Sequence, residues 1–277
     1  MDSDTSNELS KEQSTQLKEG AKAMRLDVLR LAHGTGKRGA HIAPSLSSIE
    51  ILVVLHNAVM KLREDIFILS KGHGGLAYYT ALHQAGLISK EQLDTFDEPG
   101  GDFPGQPSKK ESLGIDYSSG SLGMGLSYGA GRAKALKSKG SSASVFVLLG
   151  DGELNEGSVW EAAMFASHAK LDNLIAIVDV NGMQSDGFSK DILNMDVKRI
   201  WDAFGWNVID CNGHDVDDLY KAFARAKLHE GCPHVLLAST VKGEGVSFMR
   251  NVAKWHHSPL SDSEYEQARN EVNSCGV

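Results

Sequence analysis

Val145-Phe-Val-Leu-Leu-Gly-Asp-Gly-Glu-Leu-Asn-Glu-Gly157 is a β-branched apolar run that stops abruptly at Gly150-Asp151-Gly152. A run of this kind reads as a parallel strand buried on both faces. It delivers an acidic side chain to the carboxyl end of the sheet, which is where open α/β sheets bind their ligands. A second apolar run, Leu174-Ile-Ala-Ile-Val-Asp-Val-Asn181, follows an intervening helical stretch and brings Asn181 to the same edge. Two oxygen ligands distant in sequence are therefore expected to converge.

That pair suits a hard divalent cation carrying phosphate. Mg²⁺ prefers near-octahedral oxygen ligation and combines one or two carboxylates with substrate phosphates. Asp151 offers the carboxylate, Asn181 an amide oxygen and Met183 a backbone carbonyl. Gly150 and Gly152 let the backbone approach a phosphate with no Cβ in the way. Gly-Asp-Gly alone is a common turn; the asparagine after a second buried strand turns the reading towards a metal site.

Outward from this unit, strands and helices alternate. Upstream, helical spacing from Gln16 to Gly34 is followed by a glycine-rich break and an apolar helix over Ile49 to Val59, with Ser45 or Ser47 as its cap. A short strand over Asp65 to Ser70, a helix over Leu76 to Gln84 and a capping-box helix from Ser89 come next. Residues Glu98 to Ser119 read as an irregular functional excursion, and Gly120-Ser-Leu-Gly-Met-Gly125 then leads into a small-residue helix through Ala135. Downstream of the central unit the pattern gives helix Val197 to Phe204, strand Asn207 to Asp210, helix Val216 to His229, strand His234 to Thr240 and a terminal helix over Ser261 to Val272. The fold class is α/β, a mostly parallel sheet with helices on both faces. A disordered tail is expected over residues 1–12 and a single domain over 13–277.

A net charge of -8 argues against a nucleic-acid surface. The three cysteines, Cys211, Cys232 and Cys275, lack metal spacing and suit a reducing compartment. No apolar run approaches the roughly 20 residues that span a bilayer, and the polar amino terminus is not signal-like, so a cytoplasmic protein with no membrane contact is expected. The glycines at 120, 123 and 125 do not form the dinucleotide fingerprint, which removes a nicotinamide enzyme. His41, His73, His256 and His257 all fall in loops near element ends. Each alone reads as an ordinary polar side chain; together they mark a pocket suited to proton movement, because imidazole titrates at about 6.5.

Gly-Asp-Gly, then 28 intervening residues (153 to 180), then Asn181 is similar to the thiamine diphosphate motif, and its wording resembles transketolase. The resemblance covers residues 17–270 and corresponds to that family's diphosphate-binding domain. It implies thiamine diphosphate and Mg²⁺ as cofactors, with the metal on Asp151, Asn181 and Met183. His41, in His-Ile-Ala-Pro-Ser-Leu-Ser47, matches the first active-site histidine of the family in an altered context. His73, in Ser-Lys-Gly-His-Gly, matches the second, and His256 a later one near the diphosphate or substrate. Gly120-Ser-Leu-Gly123 looks like the turn where Gly120 meets the aminopyrimidine and Leu122 packs near the cofactor rings. Glu153 and Glu156 complete the implied cofactor-binding set with Gly150 and Gly152. Glu156 matches an acidic interface residue, although a glutamate favoured by a helix amino terminus is an equal reading.

Two departures qualify the resemblance. Phe103-Pro-Gly-Gln106-Pro puts glutamine where the family has a histidine that contacts the donor sugar, so Gln106 joins the catalytic candidates but cannot carry a proton. No stretch of residues 1–277 reads as the pyrimidine-binding domain, whose glutamate activates the cofactor in that family, so a one-domain chain is expected. The resemblance thus implies the diphosphate-binding half of a split enzyme, nearly inactive alone. A separate pyrimidine-binding and C-terminal subunit would complete an α2β2 assembly. The implied reaction moves a two-carbon ketol unit from a ketose to an aldehyde acceptor, phosphorylated or not. A related thiamine-dependent synthase, a specialised transketolase with an unusual donor, and a non-catalytic diphosphate binder stay open, since fold alone does not establish function.

Overall fold

Strands β1 (Ile66–Leu69), β2 (Val145–Gly150), β3 (Leu174–Val180), β4 (Asn207–Asn212) and β5 (His234–Ser239) form one parallel sheet, ordered β1-β2-β3-β5-β4. They are seen in a computed structural model that describes residues 8–274. After β3 the chain passes to β4 at the edge and returns to lay β5 beside β3, with Val180 paired to Ser239. The loops that leave β3 and β5 are therefore neighbours, although β4 lies between them in sequence.

Eleven helices cover the sheet: α1 (Lys11–Gly34), α2 (Ala43–Leu46), α3 (Ile49–Val54), α4 (Gly75–Gln84), α5 (Lys90–Leu93), α6 (Met124–Ser138), α7 (Gly157–His168), α8 (Ser189–Ile192), α9 (Val197–Ala203), α10 (Val216–Lys227) and α11 (Asp262–Ser274), among the described residues. Alternate strand residues point to opposite faces. Phe146, Leu148, Ile175 and Ile177 pack with α1, α3, α4 and α10, whereas Val145, Val147, Ala176 and Val178 pack with α6, α7 and Trp201 of α9. Both faces are apolar along β1, β2, β3 and β5, whose sequences show no regular polar alternation, whereas the edge strand β4 alternates buried Ile209 and Cys211 with exposed Asp210 and Asn212. Helix α6 lies close to the sheet: a Cβ on Gly129 would sit 2.6 Å from Val147 Cγ2.

Helix α1 starts at Lys11, earlier than the periodicity from Gln16 suggests, because Ser10 and Gln13 form a reciprocal capping box. Lys11 and Glu12 are thus helical, and residues 1–7 of the expected tail lie outside the described residues. Neither Ser45 nor Ser47 caps α3; the Ser45 hydroxyl donates to His41 O and the Ser47 hydroxyl to Asp179. The apolar run expected as one helix divides into α3 and a π-helical turn, Leu55–Val59. The Glu98–Ser119 excursion is irregular as expected, apart from a 3-10 turn at Glu111–Leu113. No helix among the described residues is long and apolar enough to cross a membrane.

Candidate active site

Asp151 leaves β2 with its carboxylate turned towards the loop after β3. Oδ2 accepts the Gly182 N–H at 2.7 Å and the Ser189 hydroxyl at 3.3 Å, and Oδ1 accepts the Gly152 N–H at 2.9 Å. Asp151 and Asn181 line one cavity of 460 Å³ with Thr240 and Val241. Asn181 Oδ1 accepts the Met183 N–H at 3.1 Å. The rungs that close the next turn, Gln184 N–H to Gly187 O and Ser189 N–H to Gly182 O, do not use the Met183 carbonyl. Burial, then the nearby Asp179, push the Asp151 carboxyl up to about 6 against the two backbone N–H donors. A carboxylate so placed gains from a cation. Asp151, Asn181 and the Met183 carbonyl supply the hard oxygen donors that Mg²⁺ takes, so the residues present fit the implied metal.

His41, His73, His256 and His257 come together. Ring centroids of His41 lie 6.2 Å from His73, 5.4 Å from His256 and 4.6 Å from His257, and His73 lies 5.3 Å from His256. Burial, reinforced by mutual repulsion and by neighbouring lysines, lowers His41 to about 4, His256 to about 3 and His73 well below its ordinary value. All three are neutral at physiological pH and can each donate one hydrogen bond and accept another.

Lys242 is the cation of this pocket, and sequence reasoning missed it. Its Nζ donates to Gln184 O at 3.0 Å and meets His256 Nδ1 at 2.9 Å, with the residue 2% exposed. Burial and Lys71 lower it to about 8. A buried ammonium beside Asp151 and a row of neutral imidazoles suits the diphosphate end of a cofactor. The missed signal was positional: Lys242 follows β5 as Asn181 follows β3.

A second missed feature lies beneath the pocket. Lys71 Nζ donates to Asp179 Oδ2 and, at 2.9 Å, to Pro44 O; neither charged side chain is exposed. Asp179 also accepts the Ser47 hydroxyl at 2.6 Å and the Thr240 hydroxyl. Burial alone would raise its carboxyl, but Lys71 and the hydroxyls hold it below the usual range. One network so ties the ends of β1, β3 and β5 to α2.

The remaining candidates divide. The Glu153 carboxylate is occupied within the protein: Oε1 accepts from the Ser70 hydroxyl and, at 2.8 Å, from the Gly123 N–H, and Oε2 accepts the Gly150 N–H at 3.0 Å. Glu153 thus ties together the loops around the pocket. A Cβ on Gly152 would lie 2.8 Å from Gln184 Cγ, so that glycine makes room for a side chain; around Gly150 the nearest atoms, including His73 Nε2 at 3.9 Å, stand at ordinary distance. Gly120 is exposed at φ 154° with the Gln106 amide oxygen 3.7 Å from its would-be Cβ, and Leu122 is half-buried. Gln106 lines a cavity of 260 Å³ with His41 and His257. Glu156 is exposed at the start of α7, makes no side-chain cap, and packs its stem on Gly123.

Known proteins share this arrangement of sheet and loops. The family described as transketolase, thiamine diphosphate binding domain, matches residues 52–274. An apulose-4-phosphate transketolase subunit from Actinobacillus succinogenes is 40% identical over 266 residues, covering 93% of this chain and 96% of that protein. The 6-deoxy-6-sulfo-D-fructose transketolase subunit SqwG of a Clostridium species is 38% identical, covering 87% and 92%. Human transketolase is 36% identical, yet the chain spans only 42% of its length. The solved transketolase from Leishmania mexicana superposes with a TM-score of 0.86 at 28% identity, covering 93% of this chain and 41% of that one. The family match over residues 52–274, the relatives identical at 36 to 40% and the superposed sheet agree: this chain belongs to the transketolase family, as a thiamine diphosphate-binding domain.

Proposed function

We propose that this chain is the diphosphate-binding subunit of a two-chain transketolase, moving a two-carbon ketol unit from a ketose donor to an aldehyde acceptor. The observation that carries the reading is the shared cavity of Asp151 and Asn181, taken with the cluster of Lys242 and three neutral histidines. Support for a separate partner comes from relatives that are themselves named as transketolase subunits, and of which the chain covers nearly the whole length. An α2β2 assembly is the arrangement we favour, with the pyrimidine-side glutamate supplied by that partner.

Thiamine diphosphate, when bound, supplies the carbon nucleophile that no protein side chain offers. Asp151, Asn181 and Met183 would hold Mg²⁺ against its diphosphate, and Lys242 would neutralise further phosphate charge. His73 and His256 neighbour each other, with Lys242 on His256 Nδ1, while His41 and Gln106 line one cavity, the donor side in this reading. His41, neutral and beside His257, can exchange a proton with a sugar hydroxyl. Gln106 can hydrogen-bond a hydroxyl but not titrate, which favours a donor other than the ordinary ketose phosphates.

Calorimetric titration with thiamine diphosphate, with and without Mg²⁺, tests the site on wild type and Asp151→Ala. Metal-dependent binding lost in the variant supports it; binding indifferent to both removes it. Full turnover of a ketose and an aldehyde by the purified single chain would refute the two-chain arrangement.

A further inference from the structure

Residues 241–245 carry Lys242 from the end of β5 into the pocket as irregular backbone. Besides the Gly243 N–H to Ala43 O bond at 3.1 Å and the Asn251 N–H to Lys242 O bond at 2.9 Å, two groups outside the pocket hold this segment by side-chain contacts. His214 Nε2 accepts the Val241 N–H at 2.8 Å, which places the imidazole proton on Nδ1. Nδ1 then donates to Glu50 Oε2 at 3.0 Å. Glu50 Oε1 meets Arg25 Nη1 at 2.5 Å, and Arg25 Nε reaches the Glu244 carbonyl at 3.5 Å. A single carboxylate on α3 thus meets the two side chains that attach to the segment from outside the pocket, one on each side of Lys242. Arg25 also packs on the backbone at Gly245, whose φ is +90° and whose would-be Cβ lies 2.8 Å from Arg25 Nε.

The network is buried and separate from the pocket. Glu50 is 6% exposed, and Arg25, Glu50 and His214 line a different cavity of 370 Å³. Burial would neutralise Glu50, but Arg25 and then His214 hold its carboxyl low enough to stay charged. A buried charge with one partner on each oxygen, neither of them a substrate group, needs an account beyond stability, because such pairs repay their desolvation poorly. A lysine side chain is costly to order at the moment of binding, so a backbone fixed in advance removes part of that cost.

We propose that Glu50, acting through His214 and Arg25, is a positioning residue that sets the 241–245 segment so that the Lys242 ammonium meets the cofactor's diphosphate. The proposal rests on the reading of the pocket given above and adds the group that prepares it. None of the three residues touches a reacting atom; their effect runs through the backbone on either side of Lys242.

Two measurements on the full-length chain decide it. Backbone amide exchange without ligand reads the segment itself: His214→Phe accelerates exchange at Val241 by about tenfold, the loss of one hydrogen bond, and Lys242→Met leaves it unchanged. Calorimetric titration with thiamine diphosphate and Mg²⁺ reads the consequence. His214→Phe weakens binding about tenfold in the wild-type background but less than about twofold in Lys242→Met, because coupled residues are not additive. Unchanged exchange at Val241, or equal weakening in both backgrounds, overturns the proposal. If wild type binds no thiamine diphosphate, the function reading falls and the exchange measurement alone decides the positioning role. Should His214→Phe not fold, Glu50→Gln, which keeps the side-chain shape, gives the same two comparisons.

Discussion

Lys71 and Asp179 form an ion pair that solvent does not reach, with Lys71 at the end of β1 and Asp179 in β3. Strand β2 lies between those strands, so the pair bridges beneath the loop that carries Asp151. Removing one partner leaves the other charge buried and unpaired. Lys71→Met is expected to destabilise the chain by about 3 to 5 kcal/mol, measured by denaturant unfolding; a loss within about 0.5 kcal/mol, as for a surface substitution, would contradict the role given to the pair.

Acid should weaken the ligand-free fold from near neutrality downward. The folded-state values of His41 and His256 are lowered to about 4 and about 3, and His73 is lowered too. The unfolded chain therefore binds more protons as pH falls below about 6.5, and stability is lost. Asp151 acts in the opposite sense: raised to about 6, it binds its proton in the folded state first and adds stability below that pH. Glu153 and Asp116, also raised by burial, act with Asp151, while His56, lowered to about 4 by burial, and His234 act with the pocket histidines; five groups oppose three, so melting temperature should fall between pH 6.5 and 4.5. A flat or rising profile would show the histidines to be solvated.

The same Asp151 sets a limit on cofactor loading. Metal binding needs the ionised carboxylate, so protons compete with Mg²⁺ below about pH 6. Affinity for Mg²⁺ and thiamine diphosphate should decline tenfold per pH unit well below that point. Asp151→Asn, which keeps an acceptor for the Gly182 N–H, should weaken loading by about 100-fold or more and abolish the pH dependence. Titration at pH 5 and pH 7.5 on both proteins checks this.

Gly123 stands at φ +78° before α6, where a Cβ would lie 2.6 Å from Glu156 Cβ and from Ser158 Oγ. Gly123→Ala should cost about 1 to 3 kcal/mol in strain and disturb the N–H that holds Glu153. Thermal unfolding at pH 7 reads the loss; an unchanged melting temperature would mean that the turn adjusts freely.

Gln106→His, assayed with the partner chain present, should shift relative kcat/KM towards ordinary ketose phosphates. An unchanged donor preference would place donor selection elsewhere in the pocket.

The strands, their order of appearance and the Asp151 and Asn181 pair were legible because each follows from local pattern: an apolar run, a glycine stop, a polar residue at the strand end. The histidines were legible as loop residues, and the structure supplies their meeting. Lys71, Asp179, Lys242 and the contacts of Glu153 were not, because each depends on a partner dozens of residues away. Asp179 did leave a trace: an acid within a fully buried strand must be paired, and the nearest unassigned cation on the same edge was Lys71. The Ser10 capping box was equally available, hidden only by the polar composition around it.

Strand β4 stands at the rim of the sheet, yet the turn that follows it supplies the imidazole that pins Val241. The outermost strand is paired to β5 along its whole length and α10 packs into the core, so this rim is rigid and hands its position to the cofactor side through one imidazole. A slip of even one residue between Asn212 and Asp215 would move that ring and be felt at Val241, on the other side of β5.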